Sequence, residues 1–244
     1  MNIALIGYGK MGKAIEGIAL QKGHSIILRI DDQNLHELTV DNLQKADVAI
    51  EFTGPDSAAS NILQCFGAGV PVVCGTTGWL SKLEMVKQKC EELHGSFLYA
   101  SNFSVGVNIF FELNKKLATL MKQQPNYEVS IEETHHTEKK DAPSGTAITL
   151  AEKIIDTLPP KNKWSLSQSP DNAAIQNADA VIITSKRIDP AAGTHSVKYT
   201  SGVDDIEIIH TAHNRMGFAA GAVLAAEFIH DKKGVFSMKE VLSF

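Results

Sequence analysis

Cysteine is scarce in this chain. Cys65, Cys74 and Cys90 are the three present in 244 residues, an odd number at spacings that fit no metal-ligand pattern, each in an apolar or helical stretch. That speaks against a disulfide framework and for a reducing cytoplasm. A basic excess is missing as well. Lys and Arg total 23 against 28 Asp and Glu, and the net charge of −5 is ordinary for a soluble protein, which excludes a basic nucleic-acid binder. No uninterrupted apolar run approaches the ~20 residues of a membrane span. Met1 leads directly into the strand-like Asn2-Ile3-Ala4-Leu5-Ile6 without a basic segment or cleavage site, so neither insertion nor export is expected. Internal repeats and low-complexity tracts are lacking too. The loosest segment, Pro159 to Asn177, is rich in Pro, Ser, Asn and Gln and is expected to be a mobile loop.

At 43% hydrophobic content the chain can bury one large core or two modest ones. Ile3 to Ile6 runs straight into Gly7-Tyr8-Gly9-Lys10-Met11-Gly12 and then a helical stretch from Lys13 to Leu20. This is G-x-G-x-x-G in the strand-to-helix setting of a dinucleotide fingerprint, where glycines permit a tight turn and a pyrophosphate lies against the helix N-terminus. A second strand, Ser25 to Ile30, ends in Asp31-Asp32, where an acidic side chain either accepts from ribose hydroxyls or serves a solvated turn. Strand and helix then alternate: Ala46 to Thr53 and Asp56 to Gly67, Val70 to Gly75 and Leu80 to Leu93, and Phe97 to Ala100. Such alternation predicts an α/β domain of Rossmann type, a doubly wound parallel sheet with helices on both faces.

From Val105 the character changes. One long helix to about Lys122 leads to four strand-like segments, Tyr127 to Thr134, Ala180 to Arg187, Thr194 to Thr200 and Ile206 to Thr211, which predicts a second, α+β domain built on a mixed sheet. The expected division is 1–104 with 215–244 for the dinucleotide, and 105–214 for substrate and oligomerisation.

The densest chemistry lies in Glu132-Glu133-Thr134-His135-His136-Thr137-Glu138-Lys139-Lys140-Asp141-Ala142-Pro143-Ser144-Gly145-Thr146-Ala147, joining a half-buried strand to a helix. Pro143 ahead of Ser144-Gly145-Thr146 places a cap and backbone N–H groups at the helix start, which is either a plain cap or a seat for an anion. Histidine is the side chain most easily tuned to exchange protons near neutral pH, and Lys139 adds a fixed positive charge close by. His136 is expected to face away from His135 if both remain extended.

The run His135 to Thr146 resembles the His-His-x-x-Lys-x-Asp-Ala-Pro-Ser-Gly-Thr signature of the dihydrodipicolinate reductase family. The loops Phe52-Thr53-Gly54-Pro55, Gly75-Thr76-Thr77-Gly78 and Ala100-Ser101-Asn102-Phe103-Ser104-Val105-Gly106-Val107-Asn108 are similar to that family's cofactor-contacting loops. Lys186-Arg187 and Gly193-Thr194-His195-Ser196-Val197 resemble that family's Arg…Gly-x-His-x-Val segment near its substrate pocket, although His195 reads equally as a structural strand residue. The segment from His210 to Val223 resembles its terminal motif, with Arg215 near the hinge. One departure is the tighter glycine loop, where Lys10 stands in place of the usual Arg and weakens any inference about a 2′-phosphate site.

The resemblance implies a reductase in which NADH or NADPH gives hydride to a cyclic unsaturated dicarboxylate, 4-hydroxy-tetrahydrodipicolinate, in diaminopimelate and lysine biosynthesis. It implies a cytoplasmic homotetramer. It assigns His135 and Lys139 to proton and charge work, and His136, Ser144, Gly145, Thr146 and His195 to the substrate. The cofactor falls to Gly7 through Gly12, Asp31, Asp32, Phe52, Thr53, Gly75, Thr76, Thr77, Ser101, Asn102, Phe103 and Arg215. Domain closure would exclude water during transfer. NADH is the expected preference, because Asp31 and Asp32 would oppose a 2′-phosphate. Rival readings are a reductase of an amino-acid semialdehyde and a non-catalytic NADH-binding redox sensor. Zinc hydrolysis ranks last and no metal site is expected, since nine His residues include no His-Glu-x-x-His.

Overall fold

A computed structural model of the chain describes residues 1–167, 179–214 and 216–244. In chain order the elements begin with β1 (Asn2–Ile6), α1 (Lys10–Gln21), β2 (Ser25–Ile30), α2 (Val40–Leu43), β3 (Val48–Glu51), α3 (Pro55–Gly67), β4 (Val72–Cys74), α4 (Leu83–Glu92) and β5 (Ser96–Tyr99). They continue with α5 (Val105–Met121), β6 (Glu128–His135), α6 (Gly145–Ile155), β7 (Lys163–Ser167), β8 (Ala180–Arg187), β9 (Gly193–Thr200) and β10 (Asp205–Ala212). The last are α7 (Met216–Ile229), β11 (Gly234–Phe236) and α8 (Met238–Leu242). They form two compact units, Met1–Val105 with Met216–Phe244, and Gly106–Arg215.

The first unit holds a six-stranded sheet of order β11-β5-β4-β3-β1-β2, parallel throughout. Its central strands read as unbroken apolar runs because both faces are covered. Ile62, Phe66, Val86 and Phe97 pack on one face. Ile15, Ala19, Ala222, Val223 and Ile229 pack on the other, against Leu5, Ile50, Val73 and Leu98. Each fully buried Ile or Leu of this kind contributes about 1.5–3 kcal/mol. The neighbours of β1 lie on opposite sides of it, so the chain reverses direction across the sheet between β1 and β3. At such a switch point a crevice opens beyond the carboxyl ends of the strands. The helix expected over 80–93 starts as a tighter turn, Leu80–Lys82, before α4.

The second unit holds a mixed sheet of order β10-β9-β6-β8-β7. Central β6 runs antiparallel to β9 and parallel to β8. Phe110, Phe111, Leu150 and Ile154 of α5 and α6 cover one face, meeting Val129, Ile131, Val181, Val197 and Tyr199. The opposite face carries Ser130, Glu132, Thr184, Ser196, Lys198 and Glu207 around a shallow hollow. Five strands stand where four were expected. The extra one, β7, lies inside the stretch expected to be a loop, and the rest of that stretch beyond Ser167 falls outside the described residues. As an edge strand paired only with β8, its Lys-Trp-Ser-Leu-Ser run is half to fully exposed and carries no inward apolar set.

Candidate active site

In the first unit the glycine loop, the end of β2 and the loop after β3 enclose a cleft of about 560 Å³ lined by Gly7, Tyr8, Gly9, Asp31, Asp32, Phe52 and Thr53, among others. A dinucleotide fits the backbone there. Gly7 has φ +98°, and a Cβ on it would lie 2.0 Å from the Phe52 carbonyl oxygen. A Cβ on Gly12 would lie 2.3 Å from the Gly7 oxygen, whereas one on Gly9 would meet nothing within 4 Å. The first and third glycines therefore serve the turn and the close packing of α1, and the second leaves open backbone for a pyrophosphate. Lys10, Met11 and Gly12 form the first turn of α1. The Tyr8 hydroxyl donates to Glu16, whose carboxylate also pairs with Arg29. Asp31 both lines the cleft and accepts from the Gln33 N–H at 2.8 Å, so its turn role and its cleft role coexist.

A buried carboxylate ties the neighbouring loops together. Glu51, fully buried at the end of β3, accepts from the Thr53 N–H at 3.2 Å, from the Thr53 hydroxyl and from Cys74 Sγ at 3.0 Å. The Thr53 N–H also reaches Thr76 Oγ1 at 2.8 Å, and buried Trp79 donates to the Thr76 carbonyl at 2.7 Å. Gly75 makes room for the Phe52 ring. Thr77 and Ser101 are exposed, and Asn102 Oδ1 accepts from the Ser104 N–H at 2.9 Å. Phe103 is core, its ring tilted against that of Phe52 with centroids 5.7 Å apart. Arg215 lies outside the described residues.

In the second unit the signature loop is built around Glu133. Val129, Ile131, Glu133 and His135 share the inward phase of β6. The Glu133 carboxylate is fully buried. Its Oε1 accepts from the Ser144 N–H at 3.1 Å, the Ser185 hydroxyl at 2.7 Å and Arg187 Nη2 at 3.1 Å. Its Oε2 lies 3.1 Å from His135 Nδ1 and 3.7 Å from His195 Nε2. Burial alone would raise this carboxyl, but His135, Ser144, Ser185 and Arg187 together hold it well below the usual carboxylate range. His195 is pushed down to about 3, first by burial and then by the charge of His135, against the pull of Glu133. It is neutral near pH 7.

Ser144 caps α6 by accepting from the Ala147 N–H at 3.2 Å, and its hydroxyl meets His195 Nε2 at 3.0 Å. The side chains of Ser144 and His195 are therefore internal supports, and the turn leaves Gly145 exposed and Thr146 half-buried at the positive end of an eleven-residue helix. Lys139 pairs with both oxygens of Asp141 at 2.9 Å. Arg187 holds the loop from beneath, donating to the Lys139 carbonyl at 3.2 Å and the Asp141 carbonyl at 2.6 Å. His136 follows the end of β6 and is half-buried. Glu133 and Glu51 were not singled out from the sequence, and Arg187 entered only through the resemblance of its segment, without a role. The available signal was phase: Glu133 continues the inward alternation of Val129 and Ile131, and Glu51 closes an otherwise apolar strand.

Residues 1–103 match the family described as dihydrodipicolinate reductase, N-terminus, and residues 106–242 match dihydrodipicolinate reductase, C-terminus. The 4-hydroxy-tetrahydrodipicolinate reductase of Christiangramia forsetii is 48% identical over 244 residues, spanning 100% of this chain and 98% of the relative. The enzyme of the same name from Buchnera aphidicola is 34% identical over 81% of this chain and 73% of its own. The solved dipicolinate-bound dihydrodipicolinate reductase from Paenisporosarcina shares the fold, with a TM-score of 0.74 at 22% identity over 97% of both chains. The chain belongs to the dihydrodipicolinate reductase family.

Proposed function

We propose that the protein reduces 4-hydroxy-tetrahydrodipicolinate to tetrahydrodipicolinate, the activity named for its relatives, in diaminopimelate and lysine biosynthesis. The observation that carries this is the second-unit loop, where an imidazole (His135), an ammonium (Lys139) and a helix N-terminus (Gly145-Thr146) are braced by one half-buried ion pair, Glu133 with Arg187. The reaction exchanges a hydroxyl for hydrogen, so it consumes one hydride and one proton and releases one water. A bound nicotinamide supplies the hydride. His135 gives the proton, and Lys139, leaving Asp141, holds negative charge on the substrate. The N-terminus of α6 seats a carboxylate, with His136 beside it. The glycine loop receives the pyrophosphate at the open backbone of Gly9, with Gly7 and Gly12 shaping the turn, and Asp31 and Asp32 receive the adenosine ribose.

NADH is the preferred cofactor. Arg29, the basic residue nearest along β2, is committed to Glu16, leaving Asp31 and Asp32 to oppose a 2′-phosphate. Zinc hydrolysis ranks last, because the Arg187 guanidinium on Glu133 Oε1 already places a positive charge beside the buried imidazoles. The protein works in the cytoplasm as a homotetramer. This accords with β10, an edge strand that leaves Ile206 and Ile209 exposed.

The test is oxidation of NADH and of NADPH with substrate formed in situ from pyruvate and aspartate semialdehyde. His135→Gln and Lys139→Met should each lower kcat by about 10² to 10⁴, with the KM for NADH nearly unchanged and Lys140→Met close to wild type. Turnover of an amino-acid semialdehyde in place of this substrate, or NADH binding with no turnover, would replace the reading by one of its rivals. Near-normal kcat in His135→Gln would remove the proton assignment alone.

A further inference from the structure

The two oxygens of Glu133 do different work. Oε1 is saturated by Ser144, Ser185 and Arg187. Oε2 has no aligned hydrogen bond among the described residues and faces the two imidazoles, nearer to His135 than to His195. Such a carboxylate is expensive to bury unless its charge is used. The ring of His135 is likewise divided. Nδ1 is shut off from solvent towards Glu133, and Nε2 is the nitrogen turned away, lying over Gly193.

We propose that Glu133 is the positioning residue of the proton-transfer site: it fixes the His135 ring with Nδ1 inward, presents that ring through Nε2, and through Arg187 holds the backbone that carries Lys139. The proposal rests on His135 being the proton donor. Charges from each packed element enter the balance. His195 of β9 is neutral near pH 7 and lies 5.0 Å from the His135 ring, centroid to centroid. Arg187 of β8 is the cation that shares the carboxylate. Lys139 and Asp141 of the loop largely cancel each other, and His210 of β10 is paired in register with His195 and held low by burial. Ser144 and Ser185 are neutral donors to Oε1. Glu133, shared with Arg187 through Oε1, is therefore the negative group that faces His135 Nδ1 through Oε2.

Two substitutions should move one observable in opposite directions. A general acid loses activity as it deprotonates, so kcat/KM for the substrate at saturating NADH falls on the alkaline side. Glu133→Gln keeps the shape and an acceptor for Ser144 and Ser185 but removes the charge. An adjacent opposite charge is worth about 1–3 pH units, so the alkaline limb should move down by roughly that much, with the KM for NADH within about twofold of wild type. Arg187→Met removes the competing cation, and its limb should move up. A merely structural pair would lower activity at every pH without moving the limb. An unmoved limb in folded Glu133→Gln, or a limb lowered in Arg187→Met, overturns the proposal. If Glu133→Gln does not fold, the direction in Arg187→Met decides alone. Undiminished activity in His135→Gln would instead show that the underlying donor assignment had failed.

Discussion

Gly193 offers a way to displace the proton donor without touching it. The residue begins β9 with φ +153°, and a Cβ placed on it would lie 3.1 Å from His135 Nε2 and 3.2 Å from Cδ2. Ordinary contact begins near 3.4 Å, so in Gly193→Ala the ring must retreat by a few tenths of an ångström. His135 has little room to do so, since Glu133 stands behind Nδ1 and His195 packs edge-on. A misplacement of ~1 Å costs about 10² in rate, and a shift of a few tenths scales to roughly 3- to 10-fold in kcat. The backbone conformation adds about 1–3 kcal/mol of strain for any residue with a side chain, which in a chain of this size lowers Tm by ~2–4 °C for each kcal/mol. Gly202→Ala is the matched control, because a Cβ there meets nothing within 4 Å. Steady-state kcat with saturating NADH and substrate, measured beside a thermal melt, separates the two effects. A Gly193→Ala enzyme that melts early yet keeps kcat within twofold of wild type would refute the placement of Nε2 towards the reacting centre.

Stability should fall in mild acid. His195 takes a proton at about 3 in the fold against 6.5 in an unfolded chain, so its contribution is complete above about pH 6.5 and is lost as pH drops from there towards 3. At pH 4 this amounts to ~3 kcal/mol, and Glu133, held below the ordinary 4.5 of a glutamate, adds in the same direction further down. Urea titrations giving the same unfolding free energy at about pH 7 and pH 5 would contradict the neutral, buried His195. At the N-terminus of α6, Thr146→Val should raise the substrate KM more than the NADH KM, and equal changes in both would remove the carboxylate from that turn.

The outline of both sheets was legible because their residues obey a simple phase. Val129, Ile131 and Val197 alternate inward over one covered face, and Ile3 to Ile6 are apolar throughout because β1 is covered on both. β7 was illegible for the converse reason: an edge strand with half-exposed sides needs no apolar set, and its polar composition resembles a loop. His135, Lys139 and Ser144 stood out as residue types, but Glu133 behind them did not, and Arg187 was named without its role. A carboxylate at an inward position looks like any other Glu until Arg187, fifty-four residues later, is found beside it. His195 illustrates the same limit, since spacing places it on a strand while its side chain serves Ser144 from within.

The first unit is assembled from both ends of the chain, and this has a bearing on how it folds during synthesis. Translation finishes β1 to β5 early, but α7, whose Ala219, Ala222, Val223, Ala226 and Ile229 seal one face of that sheet, follows only after the whole of Gly106–Arg215 has been made. Until then Leu5, Ile50, Val73 and Leu98 lack that cover, and β5 remains an unpaired edge awaiting β11. Nascent chains of this kind expose apolar surface and open strand edges for as long as the intervening segment takes to emerge. A ribosome that stalls just before Met216 therefore leaves a chain that has every residue of its signature loop and an aggregation-prone, half-covered sheet in place of its nucleotide fold.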